Sequence, residues 1–210
     1  MNPQQETLNT WNKVAQLYQE KFMDLEMYNE SYAIFCDAIV KSNAMILEIG
    51  CGPGNITKQL LKLRNNFSIY GIDFSETMIT LAQKNNPTAT FEVMDARDIL
   101  KLNKTYDGII AGFCLPYLTG EESIQLISDA STLLNKNGIL YISFVEGDPT
   151  LSGFLAASTG DRTYFYFHEL KVLTKEIMDA GFVSPQVLHV NYGDANSKQE
   201  IHTILIAKKF

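Results

Sequence analysis

Cysteine is scarce in this chain: three in 210 residues, with no C-x-x-C pair. An odd set without that spacing argues against a disulfide framework and fits a reducing cytoplasm. Basic charge is scarce too. Lys and Arg number 17 against 24 Asp and Glu, the net charge is −7, and no Lys/Arg cluster stands out. Phosphate contacts dominate nucleic-acid affinity, so an acidic chain without a basic patch is a poor nucleic-acid binder. No apolar run approaches the ~20 residues of a membrane span. The opening MNPQQETLNTWNK has no apolar core of signal-peptide type. Repeats, low-complexity tracts and linkers are missing as well. What is left is an ordinary globular composition, 46% hydrophobic and 20% charged, at a length that suits one α/β domain.

Against that background one stretch is distinctive: Ile46-Leu47-Glu48-Ile49-Gly50-Cys51-Gly52-Pro53-Gly54-Asn55. It reads as a buried strand that runs into three glycines at alternate positions. Glycine permits positive φ and carries no Cβ, so a ligand can lie against the peptide itself. In open α/β sheets ligands bind beyond the carboxyl ends of the strands, where such turns occur. A dinucleotide fingerprint, G-x-G-x-x-G or A, would need a small residue at Asn55 for close helix–strand packing. Asparagine there disfavours a nicotinamide oxidoreductase. About twenty residues further on, Phe67–Asp73 reads as a strand ending in a carboxylate that can accept both ribose hydroxyls of a nucleoside.

Apolar and aromatic residues at helical spacing (Trp11, Val14, Leu17, Tyr18, then Tyr32, Phe35, Ile39) predict two helices between about Asn9 and Lys41, with a break near Asp24–Asn29. Strands and helices then alternate. Strands are expected at 45–49, 67–72, 90–94, 108–112 and 138–145. Helices are expected from Asn55, from Ser75-Glu76 with Ser75 as cap, over 120–134 and over 168–180, closed by Gly181. A short helical turn is expected at Ala96. Two last strands, 183–190 and 200–208, are joined by a polar turn over 191–198. Alternation of this kind means a parallel sheet with right-handed crossovers. The last pair has too short a connection to be parallel.

The motifs ILEIGCGPG, GIDFSETM, VMDARDI, YDGIIAGFCLPYL and LLNKNGILYIS, in this order and spacing, resemble those of class I S-adenosylmethionine-dependent methyltransferases. The resemblance covers roughly Ala44 to Val145. It implies a Rossmann-like α/β fold: a seven-stranded, mostly parallel sheet with helices on both faces, an antiparallel last strand and an N-terminal helical cap. It implies one domain, with a cap over 1–43, a cofactor core over 44–145, a lid over 146–167 and a C-terminal part over 168–210. It also implies S-adenosylmethionine as cofactor and a set of residues that hold it. Glu48 and the turn Gly50-Cys51-Gly52-x-Gly54 are expected at the amino-acid end, where helix N-terminal amides favour a carboxylate. Asp73 is expected on the ribose. Phe74 and Met78 would cover adenine, although Met78 alone would more often be a core residue. Asp95 would take the adenine amino group and the Ala96 N–H a ring nitrogen. Phe113 would lie by the sulfonium, since aromatic faces tolerate cations, or in the core. Tyr18 completes the set.

The chain departs from many small-molecule members at Phe113-Cys114-Leu115-Pro116-Tyr117-Leu118, where they carry histidines. A histidine base from this loop is therefore not expected. Cys114 reads as a structural thiol, because methyl transfer needs no covalent enzyme intermediate. Alignment alone can do much of the work. If a base is used for a hydroxyl acceptor, the candidates are His168, Tyr18 and Tyr166, although a histidine placed like His168 is more often a helix-start residue than a base. Asp98 reads as solvated, Arg162 as solvated, and His189 and His202 as structural. The 146–167 segment, with its glycines and its Tyr164-Phe165-Tyr166-Phe167 run, is expected to act as a lid with the N-terminal helices. The leading expectation is a cytoplasmic enzyme, monomer or homodimer, that methylates a small molecule and binds neither nucleic acid nor membrane. A protein methyltransferase and a non-catalytic S-adenosylmethionine- or S-adenosylhomocysteine-binding protein stay open.

Overall fold

The computed structural model describes residues 2–156, 160–193 and 200–210. Helices α1 (Pro3–Phe22) and α2 (Asn29–Ala38) come first. The alternating core follows: β1 (Met45–Ile49), α3 (Asn55–Leu63), β2 (Ser68–Asp73), α4 (Glu76–Asn85), β3 (Thr90–Val93), β4 (Tyr106–Ala111), α5 (Gly120–Leu133) and β5 (Leu134–Val145). A hairpin of β6 (Gly153–Ala156) and β7 (Arg162–Phe165), helix α6 (Leu170–Asp179), β8 (Gln186–Tyr192) and β9 (Glu200–Lys208) complete it. Short 3-10 turns lie at Ala96–Leu102 and Leu115–Tyr117.

The seven-stranded sheet has the order β3-β2-β1-β4-β5-β9-β8. Pairs among β1 to β5 are parallel, and β9 runs antiparallel to both β5 and β8. The order reverses between β1 and β4, which opens a crevice at their carboxyl ends. Residue parity assigns the two faces. Leu47, Ile49, Ile109, Leu140 and Ile142 pack with Leu126 and Ile127 of α5 and Leu173 and Ile177 of α6. Ile46, Ile110, Ile139 and Tyr141 pack with Phe35 and Cys36 of α2 and Ile56 and Leu60 of α3. Both faces are covered, as the near-continuous apolar strands require.

Strand β5 begins at Leu134 and runs through the 136–138 segment expected as a turn, and β8 begins at Gln186 where 183 was expected. Four further details differ from the sequence expectations. Helix α1 begins at Pro3, not near Asn9, because the Asn2 side chain accepts the Gln4 N–H at 3.0 Å and Pro3 suits a first turn. The two N-terminal helices also do different things. Helix α2 buries Tyr32, Phe35 and Cys36, whereas α1 buries only Thr7 and Ala15, and Leu17 is exposed. The lid carries regular structure, since β6 and β7 pair from Gly153↔Phe165 to Ala156↔Arg162. Such a short pairing leaves little period-2 signal, and the aromatic run masks it. Helix α6 starts at Leu170, with Glu169 as its cap, so His168 precedes it. Part of the expected lid, 157–159, and most of the expected 191–198 turn, from 194 on, lie outside the described residues.

Candidate cofactor and acceptor site

The glycine turn sits at the end of β1. Gly50, Gly52 and Gly54 all lie in the left-handed region, at φ of +69°, +52° and +82°. They serve two purposes. A Cβ on Gly54 would stand 2.3 Å from Asn86 Nδ2 and 3.3 Å from the Ala82 backbone, so this glycine lets α3 begin against α4. Cys51 is buried among Ile79, Ala82 and Phe91 on the same side. Gly50 and Gly52 instead line a cavity of about 130 Å³. The turn is therefore half packing joint and half cavity wall. Spacing in the sequence does not distinguish the halves.

Asp73, at the end of β2, fixes the wall. Its Oδ2 accepts the Gly52 N–H and its Oδ1 accepts the Ser75 N–H, both at 2.9 Å. Ser75 in turn caps α4 through Met78 N at 3.2 Å, as expected from sequence. Burial pushes the Asp73 carboxyl up to about 6, against the pull of the two amides. Glu48 lies behind the turn and is fully buried, and it does not reach the cavity wall. Its Oε2 takes a short hydrogen bond from the Thr57 hydroxyl, while Oε1 has no partner among the described residues. Burial raises its carboxyl to about 8, with the nearby Asp73 charge adding to the shift.

Phe74, Met78, Asp95 and Ala96 line one end of the same cavity. Asp95 is held rigidly. Its Oδ1 accepts from the Arg97 backbone and from Arg97 Nη1, each at 2.9 Å, and Oδ2 accepts from Gln4 Nε2 at 3.1 Å. Arg97 Nε also pairs with Glu122 at 2.6 Å, and Glu122 closes a capping box with Thr119 at the start of α5. Burial disfavours its charge, but Glu122 and Asp95 outweigh this and raise the guanidinium. Gln4 and Arg97 were not anticipated. The D-x-R spacing that sets the Arg97 clamp is visible in the sequence.

Aromatic side chains bound the other end. Trp11 meets Tyr18 edge-on at 5.3 Å between centroids and Tyr117 at 5.6 Å. Phe113 occupies the left-handed region at φ +54°, which is uncommon for a residue with a Cβ. Its N–H donates to Ser143 Oγ at 2.9 Å, holding the strained turn. Its ring forms part of the wall between the first cavity and a second one of about 270 Å³. Strain of this kind leaves no mark in the sequence.

The base candidates separate. Tyr18 and Tyr166 line the first cavity, with the Tyr18 phenol pushed up to about 12 by burial. His168 is buried, outside both cavities, and its Nε2 lies 2.8 Å from the Leu115 carbonyl. It ties the 115–117 turn to the start of α6 and is not placed for proton abstraction. Cys114 lines the cavity, with its thiol raised to about 12 by burial, which leaves it unreactive. Arg162 is not simply solvated. It bonds Glu6 and stacks 4.3 Å from the Phe154 ring. Thr7 Oγ1 accepts the Tyr164 N–H at 2.9 Å, Thr10 Oγ1 donates to the Arg162 carbonyl at 2.7 Å, and Lys13 pairs with Asp161 at 2.7 Å. The β6–β7 hairpin is thus fastened along α1. No described helix is long and apolar enough to cross a membrane.

Residues 46–138 match the family model of a methyltransferase domain. An uncharacterized methyltransferase of Alkaliphilus oremlandii is 28% identical over 203 residues, 94% of this chain and 91% of that protein. A protein of Invertebrate iridescent virus 6 with a methyltransferase name is 30% identical over 137 residues, 65% of this chain. That match spans about half, 49%, of the viral protein's length. The 1,6-didemethyltoxoflavin-N1-methyltransferase of Burkholderia thailandensis, solved with 1,6-didemethyltoxoflavin and S-adenosylhomocysteine bound, superposes with a TM-score of 0.71. It is 18% identical, over 97% of this chain and 87% of that one.

Proposed function

We propose that the chain is a class I S-adenosylmethionine-dependent methyltransferase, a reading that the methyltransferase-domain match over residues 46–138 and the Alkaliphilus oremlandii relative support, and that it transfers a methyl group from S-adenosylmethionine to a small-molecule acceptor by direct displacement. The observation that carries this reading is the linked wall of Gly52, Asp73 and Asp95 along a single cavity at the β1/β4 crevice. The cofactor fits the residues present. Asp73 has its backbone partners fixed and still faces the cavity, so it can accept from ribose hydroxyls. Asp95 and the Ala96 N–H stand at the adenine end, with Phe74 and Met78 beside them. Gly50 and Gly52 let the amino-acid end lie on the backbone. Trp11, Tyr18 and Phe113 offer π faces to a cation.

When bound, S-adenosylmethionine supplies an electrophilic methyl group on a sulfonium that is already a good leaving group. The protein then has to align the acceptor and exclude water, and near-attack positioning can supply several kcal/mol of the barrier. The aromatic end of the first cavity and the adjoining second cavity serve that purpose. Large apolar walls with few polar groups suit a small, partly apolar molecule.

An acceptor screen tests the assignment. The purified chain, given S-adenosylmethionine and pooled small planar metabolite-like compounds, is expected to release S-adenosylhomocysteine in a compound-dependent manner. Release that depends only on added protein substrates, with none from any small-molecule pool, would point to a protein acceptor instead.

A further inference from the structure

The second cavity has a polar feature that the methyltransferase reading does not use. Strand β9 is antiparallel to β5, so it begins where β5 ends, beside the crevice, and His202 stands opposite Val145 there. His202 is buried, with only 6% of its surface exposed. Its Nδ1 is 2.6 Å from the Tyr28 hydroxyl. Its Nε2 is 3.7 Å from Glu200 Oε2, too far for a hydrogen bond but close enough for charge to be felt. The ring is clasped on its faces and edge. Tyr192 stacks on it at 4.7 Å and 13°, Tyr28 at 6.0 Å and 14°, and Phe113 meets it edge-on at 4.7 Å. Phe113, Gly50 and Gly52 line both cavities, so the cavity that His202 lines adjoins the glycine turn.

A buried core histidine also needs a hydrogen-bond partner, as His168 has. His202 differs in that it lines a cavity and has a carboxylate near its second nitrogen, which is what a base in contact with an acceptor can use. The cavity also restricts what can enter. No Lys or Arg is among the described residues that line it, and Glu200 is its one carboxylate. Among the described lining residues an anionic acceptor would meet the Glu200 carboxylate and no counter-charge. A neutral planar molecule would meet aromatic faces.

Resting on the methyltransferase reading above, we propose that His202 is the proton acceptor of this enzyme and that the second cavity takes an uncharged, planar acceptor bearing a hydroxyl group. Tyr28 and Glu200 are positioning residues. In the tautomer that the reaction needs, Nδ1–H donates to the Tyr28 hydroxyl and the Nε2 lone pair is free. Glu200 offsets the positive charge that develops on the ring. In the step, the acceptor O–H bond breaks and its proton passes to Nε2. The oxygen electron pair forms the bond to the methyl carbon, and the carbon–sulfur pair leaves with sulfur. The products are a methyl ether, the thioether S-adenosylhomocysteine and a protonated His202, which returns its proton to solvent. Burial lowers the His202 pKa, which keeps the ring neutral before the step.

The test uses the full chain and 2-naphthol as the probe. Three quantities are compared: S-adenosylhomocysteine affinity, 2-naphthol affinity in the S-adenosylhomocysteine complex, and turnover with S-adenosylmethionine. The wild type is expected to bind 2-naphthol at least about tenfold more tightly than 2-naphthoate and to methylate it. His202→Asn is expected to cut kcat by about 10²–10⁴-fold with cofactor affinity within twofold. Tyr28→Phe keeps the ring packing and removes only the hydroxyl, so it stays informative if the His202 variant does not fold. It should cut kcat severalfold or more and leave 2-naphthol affinity unchanged. Failure of 2-naphthol to bind or react, equal affinity for the naphthoate, or wild-type kcat in both variants would overturn the proposal. Loss of S-adenosylhomocysteine binding by the wild type is a different result and would overturn the methyltransferase reading itself.

Discussion

Asp73→Ala is expected to bind S-adenosylhomocysteine about 100-fold more weakly than the wild type, with its thermal unfolding little changed. Two charge-assisted hydrogen bonds to the ribose are each worth ~1.5–3 kcal/mol, and ~3 kcal/mol in total is about 100-fold. The same carboxylate accepts the Gly52 N–H, so its removal also frees the turn on which the proposed cofactor would rest. The fold should tolerate the change, because both partners of Asp73 are backbone groups at the rim of the sheet. The carboxylate must be ionised to accept from both hydroxyls. Burial has raised its pKa to about 6 in the free protein. Cofactor binding favours the ionised form, so affinity is expected to hold above about pH 6 and to fall as pH drops through it. Asp73→Ala should lack that decline. Isothermal titration across this range measures both effects. Equal affinities for variant and wild type would mean that another acid holds the ribose.

Removal of α1 is the second large effect. Helix α1 supplies Pro3, Gln4, Thr7, Trp11 and Tyr18 to the first cavity and anchors the β6–β7 hairpin. A chain beginning at residue 23 is expected to lose turnover altogether while its sheet core stays folded, because α1 buries only Thr7 and Ala15. Cutting as far as residue 43 should unfold the protein, since Phe35 and Cys36 of α2 are almost fully buried against the sheet. In the intact chain, hydrogen exchange should slow in α1 and in the hairpin together when S-adenosylhomocysteine is added, as expected of a lid that closes on the site. Unchanged exchange in both segments, with turnover surviving the shorter truncation, would remove the lid role from this account.

The sheet and the residues that line the cavity at its edge were largely legible in the sequence because their causes are local. A strand must run into a turn that needs glycine, as at Ile49-Gly50, and an acid must end the next strand, as at Asp73. Residues held by contacts distant in sequence were harder to read. Gln4 reaches Asp95 across 91 positions, and Arg162 reaches Glu6 across 156. Glu48 reads as a ligand contact in a linear motif, but the pleat turns it inward to Thr57. Gly54 belongs to the same glycine series as Gly52, yet its neighbour is Asn86 of the α4 end. His202 lies in a strand pattern that is equally compatible with core packing. Its place beside the crevice follows only from the antiparallel pairing of β9 with β5.

The most direct test of the central claim is a calorimetric titration of the wild-type chain with S-adenosylmethionine, S-adenosylhomocysteine and NAD. The account predicts saturable binding of both adenosyl compounds at one site per chain and no heat from NAD. Tight binding of NAD, with no response to either adenosyl compound, would contradict it.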